Sequence, residues 1–397
     1  MRILSLTTSY PLSLQDGTAP FIRSIACGLA QLGHAVRVLA PDRTGAPQHQ
    51  QDCEGAVSID WVRYAPHPKL RVIGHAQSLQ NDVRIKRAAY AALPLYAAAM
   101  LARARAVCIS WQPQVIHAHW AIPGGVLGAL LARQQRLPLV ISLHGSDMYL
   151  ARKSPVYGRL ARWAFGQAKA ISACSQNLFD SAIHLGAPLN RTRLIPYGVD
   201  TQRFSPAPSR ANTAPVVLAT GRLVAKKGFD QLIAAAPAIF ARCPAAEIWI
   251  AGEGDSRAQL EGLRAALPAP LQTKIKFLGQ RPWSDLPDLL RQASVFVLPS
   301  VRDEAGNEDG LPNSLLEGMA SGLAIVASDL AGVPAVIRDE QTGLLMPPGD
   351  ASALADAVVR LLQDAELSER LGHAARRFAE SELSWQMAAQ QFEALMR

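Results

Sequence analysis

Two carboxylates and two cations in this sequence have types and spacings suited to chemistry on phosphates and hydroxyl groups. Asp309 and Glu317 are separated by seven residues in EDGLPNSLLEGMASGLAIVAS, where a Gly-Leu-Pro turn precedes an apolar strand. In TGRLVAKKGFDQL, Arg222 precedes Lys227 by five residues at a strand end. Arginine offers a planar fork and lysine a point charge, so the pair could neutralise a diphosphate. Taken alone, the same pair is equally well interpreted as two solvated surface cations.

The stretch after Asp309 is typical of a helix start that binds anions. Pro312 fits the first helical turn, where its missing N–H costs little. Other backbone N–H groups at a helix start are unpaired, and with the helix dipole they bind anions or hydroxyls. We expect these groups to belong to Gly310, Leu311, Asn313 and Ser314. Asp309 would precede the helix, and Glu317 would lie one to two turns inside it.

The elements that must position these residues alternate between short apolar runs and helix-like stretches. The first set of runs is RILSLT, HAVRVLAP, VSIDWVRYA, VIHAHW, LPLVISLHG, AISACS and RLIPYG. The second set is VVLATGRL, EIWIAGEGD, KIKFLGQ, SVFVLPS, LAIVAS and GLLMPP. Runs too apolar to have a wet face predict parallel strands covered by helices on both sides. We therefore predict an α/β protein with two doubly wound, Rossmann-like domains facing a shared central cleft.

The length of the chain also predicts two domains. At 397 residues it exceeds the roughly 250–300 residues at which a single hydrophobic core usually stops growing. The aperiodic linker YGVDTQRFSPAPSRANTAP separates the two sets of runs. We predict domains over residues 1–198 and 199–375. Residues 376–397 contain a helix with Trp385 and Phe392 on one side, which we predict to cross back to the first domain.

The composition belongs to an ordinary globular protein, with 49% hydrophobic and 18% charged residues. Met1 leads directly into an apolar strand without a signal-peptide pattern. Five scattered cysteines, none in a C-x-x-C pair, predict neither a disulfide framework nor a zinc site and favour a reducing, cytosolic compartment. The longest apolar run, 88–102, contains Pro94 and is shorter than the about 20 residues of a spanning helix. We therefore predict no transmembrane segment.

The stretch around Asp309 resembles the E-x7-E signature of retaining glycosyltransferases of the GT-B fold, family GT4. The common form of that signature is E-G-x-P-x-x-x-x-E. GRLVAKKG resembles the family's Arg-x4-Lys-Gly motif, LHGSD its His-Gly-Ser/Thr-Asp motif, IPYGVD its inter-domain linker and TGLLMPPGD its last strand. These five motifs occur in order along the whole chain. The resemblance implies a hexosyltransferase that moves a sugar from a UDP- or GDP-linked donor to a hydroxyl, with retained anomeric configuration.

The resemblance also implies roles for individual residues. Arg222 and Lys227 would hold the donor diphosphate, whose charge grows as the glycosidic bond breaks, so they would stabilise the transition state more than the ground state. Glu317 would accept hydrogen bonds from the ribose hydroxyls. His144, in LHGSD, would approach the reacting carbon from the other domain. Because no other carboxylate stands out at a strand end, a front-face substitution is expected, in which the leaving diphosphate helps to deprotonate the acceptor.

Asp309 departs from the family pattern, which usually has Glu at this position. By resemblance, Asp309 and the backbone of Gly310 to Pro312 would contact the donor sugar, although Pro312 has no N–H to donate. Asp is one methylene shorter than Glu, which alters its reach to the sugar hydroxyls. The identity of the donor sugar therefore stays open.

Two further groups are candidates for binding. Gly17 and Thr18, in a loop that resembles the family's first glycine-containing loop, would offer backbone donors near the diphosphate or acceptor; a plain loop is the alternative.

His117 and His119 in HAHW lie on one face of a strand, but no third ligand for a metal is apparent nearby. We expect His119 to line the acceptor cleft or to be packed. No cofactor and no catalytic metal is expected, by resemblance.

Positive charge is concentrated in the first half of the chain. Residues 1–198 carry a net charge of +13, and residues 199–397 carry −5. Between Lys69 and Arg105, cations alternate with Tyr and Leu residues. Such a segment can lie on an anionic membrane, or it can be a helix pair that packs inward with solvated arginines. The charge asymmetry favours the membrane. With the cytosolic compartment that the cysteines favour, this predicts a location at the inner face of the membrane. Nucleic acid is disfavoured by the 6% aromatic content and the lack of a recognition motif.

Two other classes of function remain open in the sequence. A glycoside hydrolase could use Asp309 and Glu317 as its acid and base, but this leaves Arg222 and Lys227 without a role. A non-catalytic protein that binds sugar nucleotides or lipid head groups is the second alternative. For the acceptor, the resemblance implies a lipid-linked intermediate of a bacterial cell-surface polysaccharide or glycolipid, with a soluble small molecule as the alternative.

Overall fold

The chain folds into two compact units, each with its own parallel sheet. The first consists of Met1–Pro196 with Trp385–Arg397, and the second is Tyr197–Ser384. The two predicted α/β domains are confirmed. Residues 208–213 of the predicted linker fall outside the described part of the chain. The computed structural model describes residues 1–13, 15–42, 48–75, 79–80, 84–207 and 214–397.

The first unit is a sheet of mainly parallel strands with helices between them. Among its described residues, eight strands pair in the order β10-β9-β8-β7-β1-β2-β4-β3, and β5 pairs separately with β6. The strands are β1 (Arg2–Leu6), β2 (Ala35–Pro41), β3 (His49–Asp52), β4 (Val57–Val62), β5 (Leu79–Gln80), β6 (Arg84–Ile85), β7 (Val115–His119), β8 (Leu139–Leu143), β9 (Ala170–Ala173) and β10 (Thr192–Leu194). The helices are α1 (Pro20–Gln31), α2 (Arg87–Trp111), α3 (Val126–Gln135), α4 (Ser146–Lys153), α5 (Pro155–Gln167) and α6 (Gln176–His184).

The second unit repeats this plan with an all-parallel sheet. Among its described residues, six strands pair in the order β13-β12-β11-β14-β15-β16. The strands are β11 (Val216–Thr220), β12 (Glu247–Ala251), β13 (Ile275–Gly279), β14 (Val295–Leu298), β15 (Ala324–Ser328) and β16 (Leu344–Met346). The helices are α7 (Phe229–Arg242), α8 (Arg257–Ala265), α9 (Ala269–Gln272), α10 (Leu286–Gln292), α11 (Asn313–Ala320), α12 (Ala351–Gln363) and α13 (Ala365–Glu382); the last helix of the chain, α14 (Trp385–Met396), belongs to the first unit.

The predicted strands form because their apolar runs are covered on both faces. Every residue of β7, β8, β11 and β15 is buried. A parallel sheet with helices on both faces has no solvent-exposed face, so its strands consist of consecutive apolar residues. Strand β3 was not predicted, because HQQD is polar throughout. It pairs antiparallel with β4 at the sheet edge, where polar side chains are tolerated.

The final segment was predicted to begin at residue 376, but the helix α13 that contains it belongs to the second unit. Its buried residues Leu367 and Leu371 pack in the core of that unit. Arg376 donates to the backbone carbonyls of Phe204 and Ala320, which also lie there. The segment that joins the first unit therefore begins at Trp385.

Helix α14 completes the core of the first unit. Phe392 is 2% exposed and packs in the same cluster as residues of α1, β1 and β2. His34 and Glu393 form a hydrogen bond 3.0 Å long, and Lys169 donates to the carbonyl of Met396 at 3.3 Å. Residues at the far end of the sequence thus close the first domain.

A disulfide joins Cys27 of α1 to Cys53, and the Cα atoms are 5.8 Å apart. The prediction of no disulfide is wrong for this pair, because only tertiary packing brings Cys53 to α1. With Asp52, these cysteines form the cluster of close potential metal ligands found among the described residues. Asp52 already accepts two hydrogen bonds from Arg23, both of 2.8 Å, and one of 2.9 Å from Tyr10. Its carboxylate is therefore the partner of an arginine.

The apolar stretch interpreted as a possible helix pair forms one 25-residue helix, α2, which continues through Pro94. Within the described residues it is long and apolar enough to cross a membrane, although a buried core helix can pass the same test. One side carries the buried residues Tyr96 and Met100, whereas Tyr90 is 53% exposed. Residues 76–78 and 81–83 of the basic stretch lie outside the described residues.

We expect Phe392→Ala to destabilise the first unit by about 3–5 kcal/mol, because it leaves a cavity in a closed core. Hydrogen exchange should show faster exchange of amides in β7 and β8, while β14 and β15 keep their protection. The exposed neighbour Gln391 provides the matched control, Gln391→Ala, which should leave exchange in all four strands unchanged. Equal exchange in the two variants would contradict the assignment of α14 to the first core.

Candidate active site

The candidate residues of the second unit lie where the order of its strands reverses. The chain passes from β11 to β12 and β13 on one side and returns to β14 on the other side of β11. In open parallel sheets, ligands bind at the carboxyl ends of the strands next to this reversal. Arg222 and Lys227 follow β11, and Ser300 and Asp309 follow β14. The topology therefore brings two distant sequence motifs to one place.

The turn after β11 packs closely against the segment that follows β14. Gly228 has a φ of +64°, and a Cβ there would lie 1.8 Å from the carbonyl oxygen of Pro299, so only glycine fits. The turn places Lys226 and Lys227 in a buried position, 8% and 9% exposed, whereas Arg222 is exposed. The interpretation of two solvated cations is therefore wrong for Lys227, which the fold holds inside.

Asp309 is the centre of a buried ion cluster. Its Oδ2 lies 2.8 Å from Lys227 Nζ, and its Oδ1 lies 3.5 Å from Lys226 Nζ. Ser300 Oγ donates to Oδ2 at 3.3 Å. Burial would raise the pKa of Asp309, but Lys227, Lys226 and Arg222 outweigh it and lower the pKa to about 2. The carboxylate is therefore ionised at every physiological pH, inside a cluster of three positive charges.

Helix α11 begins directly after the Gly-Leu-Pro turn. Pro312 is the residue before the helix rather than part of its first turn, and Asn313 and Ser314 are the first helical residues. Their N–H groups have no carbonyl partner within the helix. Two buried amide atoms near this turn, Asn307 Nδ2 and Asn313 Oδ1, have no hydrogen-bond partner among the described residues. Such groups cost about 1–3 kcal/mol each unless water or a ligand pairs them, so this turn can accommodate a polar ligand.

Glu317 lies within α11 in a different environment. It is 8% exposed, and Trp283 Nε1 donates to its Oε1 at 3.1 Å. Burial raises the pKa of Glu317 to about 7, although the hydrogen bond from Trp283 and the charge of Arg203 act in the opposite direction. Asp309 and Glu317 are eight positions apart in sequence, yet Asp309 is always charged and Glu317 titrates near neutrality.

The candidate residues of the first unit centre on a pair of histidines. His119 ends β7 and His144 follows β8, and the distance from His119 Nδ1 to His144 Nε2 is 3.0 Å. His119 Nε2 also forms a hydrogen bond with Ser5 Oγ at 3.2 Å. Burial lowers the pKa of both histidines well below the ordinary value, so both rings are neutral at pH 7.

His119 is 1% exposed, so of the two expectations for it, packing is observed and lining an open cleft is not. His117, whose ring centroid is 4.2 Å from that of His119, forms a hydrogen bond of 2.7 Å between Nε2 and Ser142 Oγ. A buried side chain that contacts His144 is suited to fix the orientation of that ring. We therefore place His119 behind His144 as its support.

The loop before α1 contains Gly17 and Thr18. The backbone N–H of Thr18 donates to Asp16 Oδ1 at 2.9 Å, so the predicted donor is already used within the loop. A Cβ at Gly17 would meet no atom within 4 Å, so the space beside Gly17 is open. Of the two residues predicted to offer backbone donors, only Gly17 lies beside open space as expected.

Sequence reasoning missed three residues of the second unit that contact the predicted ones. Lys226 is adjacent to Lys227, and the doubled lysine was the one local signal available. Trp283 and Ser300 contact Glu317 and Asp309 from other segments of the chain. No spacing rule connects these segments, because only the folded sheet brings them together.

Comparison with known proteins agrees with this geometry. The family model described as Glycosyltransferase Family 4 matches residues 15–203, and the model described as Glycosyl transferases group 1 matches residues 214–364. The chain is 29% identical to a glycogen synthase of Mycobacterium tuberculosis, with 98% of this chain and 92% of the relative covered. It is 30% identical to the GDP-mannose-dependent alpha-(1-6)-phosphatidylinositol monomannoside mannosyltransferase of the same organism, with 68% and 73% covered.

The fold also matches solved structures. Anabaena Alr3699/HepE in complex with UDP superimposes with a TM-score of 0.74 at 21% identity, with 99% of each chain covered. At this identity the likeness shows the fold, which is the GT-B fold with two Rossmann-like domains. The family models together span most of the chain and carry the predicted motifs of both units. The chain belongs to glycosyltransferase family 4, and it is a nucleotide-sugar glycosyltransferase of the GT-B type.

Proposed function

We propose that this enzyme transfers a hexose from a UDP- or GDP-linked donor, with retention at the anomeric carbon, to a hydroxyl of a lipid-linked acceptor. The product would be an intermediate of a bacterial cell-surface polysaccharide or glycolipid. The observation that carries the donor site is the cluster of Lys226, Lys227 and Arg222 around Asp309. Two buried lysines and the charge of Arg222 beside Asp309 suit a diphosphate, because lysine and arginine form strong, charge-assisted hydrogen bonds with phosphate oxygens.

The names of similar proteins support both halves of this proposal. The mannosyltransferase relative is named for GDP-mannose and for a phosphatidylinositol mannoside, which is a lipid-linked acceptor. The HepE structure holds UDP. UDP and GDP therefore both remain candidate nucleotides for this chain.

The charge cluster fits the departure of a diphosphate. As the bond from the anomeric carbon to the diphosphate oxygen breaks, negative charge grows on that oxygen, and the lysines stabilise it. The acceptor oxygen forms the new bond from the same face, and its proton passes to the departing diphosphate. Asp309 is held by two lysines and has a pKa of about 2, so it is suited to orient a sugar hydroxyl rather than to attack carbon. In the first unit, we assign the approach to the reacting carbon to His144, supported by His119.

The acceptor half of the proposal includes a membrane contact through a patch on α2 and α5. Tyr90 near the start of α2 and Tyr157 near the start of α5 are close enough for their phenol groups to interact. On α5, Val156 is 60% exposed and Leu160 is 38% exposed, and Tyr90 on α2 is 53% exposed. Exposed cations lie close to them in sequence: Lys86, Arg87, Arg152, Lys153 and Arg159. Apolar side chains with cations nearby in sequence suit the surface of an anionic bilayer, and we place the enzyme at the cytoplasmic face.

Lys227→Ala and Arg222→Ala should weaken binding of the preferred nucleoside diphosphate at least about tenfold, because each removes a charge-assisted contact. Calorimetry with UDP, GDP and their sugar forms measures this loss. The control is Lys276→Ala, which removes a surface lysine paired with Glu247 in the same unit at 2.7 Å. Nucleotide affinity that is unchanged in all three variants would contradict the diphosphate site. Binding without sugar transfer to any acceptor would instead favour the non-catalytic alternative.

Sugar transfer should persist in excess EDTA, because lysine and arginine side chains supply the positive charge at the diphosphate. The measurement is the rate of nucleotide release before and after chelation, with added Mg²⁺ as the reference. A rate that falls with EDTA and returns with Mg²⁺ would contradict this assignment.

Charge reversal at Arg152 and Arg159 should reduce sedimentation with vesicles that contain phosphatidylserine, since each cation contributes roughly 1 kcal/mol near an anionic surface. The matched control reverses Arg133 and Arg136, exposed cations at the end of α3 in the same unit. Binding to phosphatidylcholine vesicles should be weak for all forms. An equal loss in the control would show that net charge, and not this patch, determines binding.

A further inference from the structure

Trp283 is a half-buried aromatic residue whose indole N–H is directed at the carboxylate of Glu317. It lies between β13 and α10, whereas Glu317 lies in α11. The distance from Trp283 Nε1 to Glu317 Oε1 is 3.1 Å. Among the described residues, no hydrogen bond to Glu317 Oε2 is present. One oxygen of this buried carboxylate is thus held by the protein, and the other remains for a ligand.

The indole ring is itself fixed from the segment that opens the second unit. The guanidinium carbon of Arg203 lies 3.6 Å from the ring centroid, which is a close cation–π contact. Arg203 Nη2 also donates to the backbone carbonyl of Trp283 at 3.4 Å. Phe204 meets the ring edge-on, with centroids 6.0 Å apart. The ring therefore has one orientation, and its N–H has a defined direction.

We propose that Trp283 positions Glu317 for the nucleotide ribose, by holding Oε1 so that Oε2 accepts hydrogen bonds from the ribose hydroxyls. A carboxylate can accept several hydrogen bonds, so the indole and the ribose can bind it together. The inference rests on the proposed function, in which Glu317 receives the ribose. It adds a positioning residue that the sequence motifs do not contain.

This arrangement has a consequence for the pH dependence of binding. Two groups from neighbouring segments act on Glu317, the indole N–H of Trp283 and the charge of Arg203, and both favour its ionised form. A ribose hydroxyl donates better to an ionised than to a protonated carboxyl. Nucleotide binding should therefore weaken as the pH falls through about 7, where burial places the pKa of Glu317. Removing the indole N–H should raise that pKa further and move the weakening to higher pH.

The test is Trp283→Phe, which keeps an aromatic ring and removes the N–H. UDP-glucose and GDP-mannose, whose phosphates do not titrate between pH 5.5 and 9, are titrated calorimetrically over that range, together with their 2′,3′-dideoxyribose forms, which lack the ribose hydroxyls. For the ribonucleotide that binds, we expect the variant to bind roughly three- to tenfold more weakly at pH 7. We also expect its acid limb, which is the fall of affinity at low pH, to move to higher pH. For its dideoxy form, we expect wild type and variant to bind equally.

Two further variants make the result specific. Trp249→Phe removes a similar indole hydrogen bond, of 2.7 Å to Glu247, elsewhere in the same unit and should change neither affinity nor the acid limb. Glu317→Gln should abolish the acid limb. Adding Trp283→Phe to Glu317→Gln should weaken nucleotide binding much less than Trp283→Phe does in the wild-type protein.

The possible outcomes separate this inference from the proposed function. An equal loss for ribose and dideoxyribose nucleotides, or an unmoved acid limb, would show that Trp283 only packs against Glu317 and would overturn the inference alone. A wild-type protein that binds no nucleotide would overturn the proposed function and this inference with it. A variant with a lowered melting temperature is compared at a temperature where both proteins are folded.

Discussion

The buried ion pair between Asp309 and Lys227 is the interaction on which the second unit's site depends. It joins the turn after β11 to the stretch before α11, so it connects the two motifs that the sequence shows separately. A buried pair of this kind adds little net stability, because both charges lose their hydration. Its value is positional, since loss of either partner would leave an uncompensated charge inside. Gly228 permits the approach, because any side chain there would collide with Pro299.

The same local motif holds two carboxylates in opposite states. Lysines surround Asp309 and keep it ionised, whereas Glu317 faces an indole and a stacked guanidinium and has its pKa raised by burial. In a hydrolase, a carboxyl with a raised pKa beside an ionised one would suggest an acid and a base. Here the ionised member is locked between two lysines, and the chain belongs to a family of transferases. The different environments therefore suit the binding of different parts of one donor.

The first unit contributes a site of another character. Its histidines are buried in neutral form at the carboxyl ends of β7 and β8, with each ring hydrogen-bonded to a neighbouring side chain. A neutral imidazole can donate from one nitrogen and accept at the other, so in the contact between His119 Nδ1 and His144 Nε2 one ring donates and the other accepts. The C-terminal helix α14 closes the same core, with Phe392 5.6 Å from His117 between ring centroids. The last residues of the chain thus support the elements that carry the histidines.

The sequence by itself determined the two α/β domains, because strands buried on both faces consist of consecutive apolar residues. It also determined the place of Arg222, Lys227, Asp309 and Glu317, because glycine and proline fix the turns that follow and precede their strands and helices. Only the tertiary structure decided that Lys226 reaches Asp309, that Trp283 holds Glu317, that His119 is buried behind His144 and that Cys27 meets Cys53. These contacts depend on which strands become neighbours, and local sequence patterns carry no information about the distance between segments that meet only in the folded sheet.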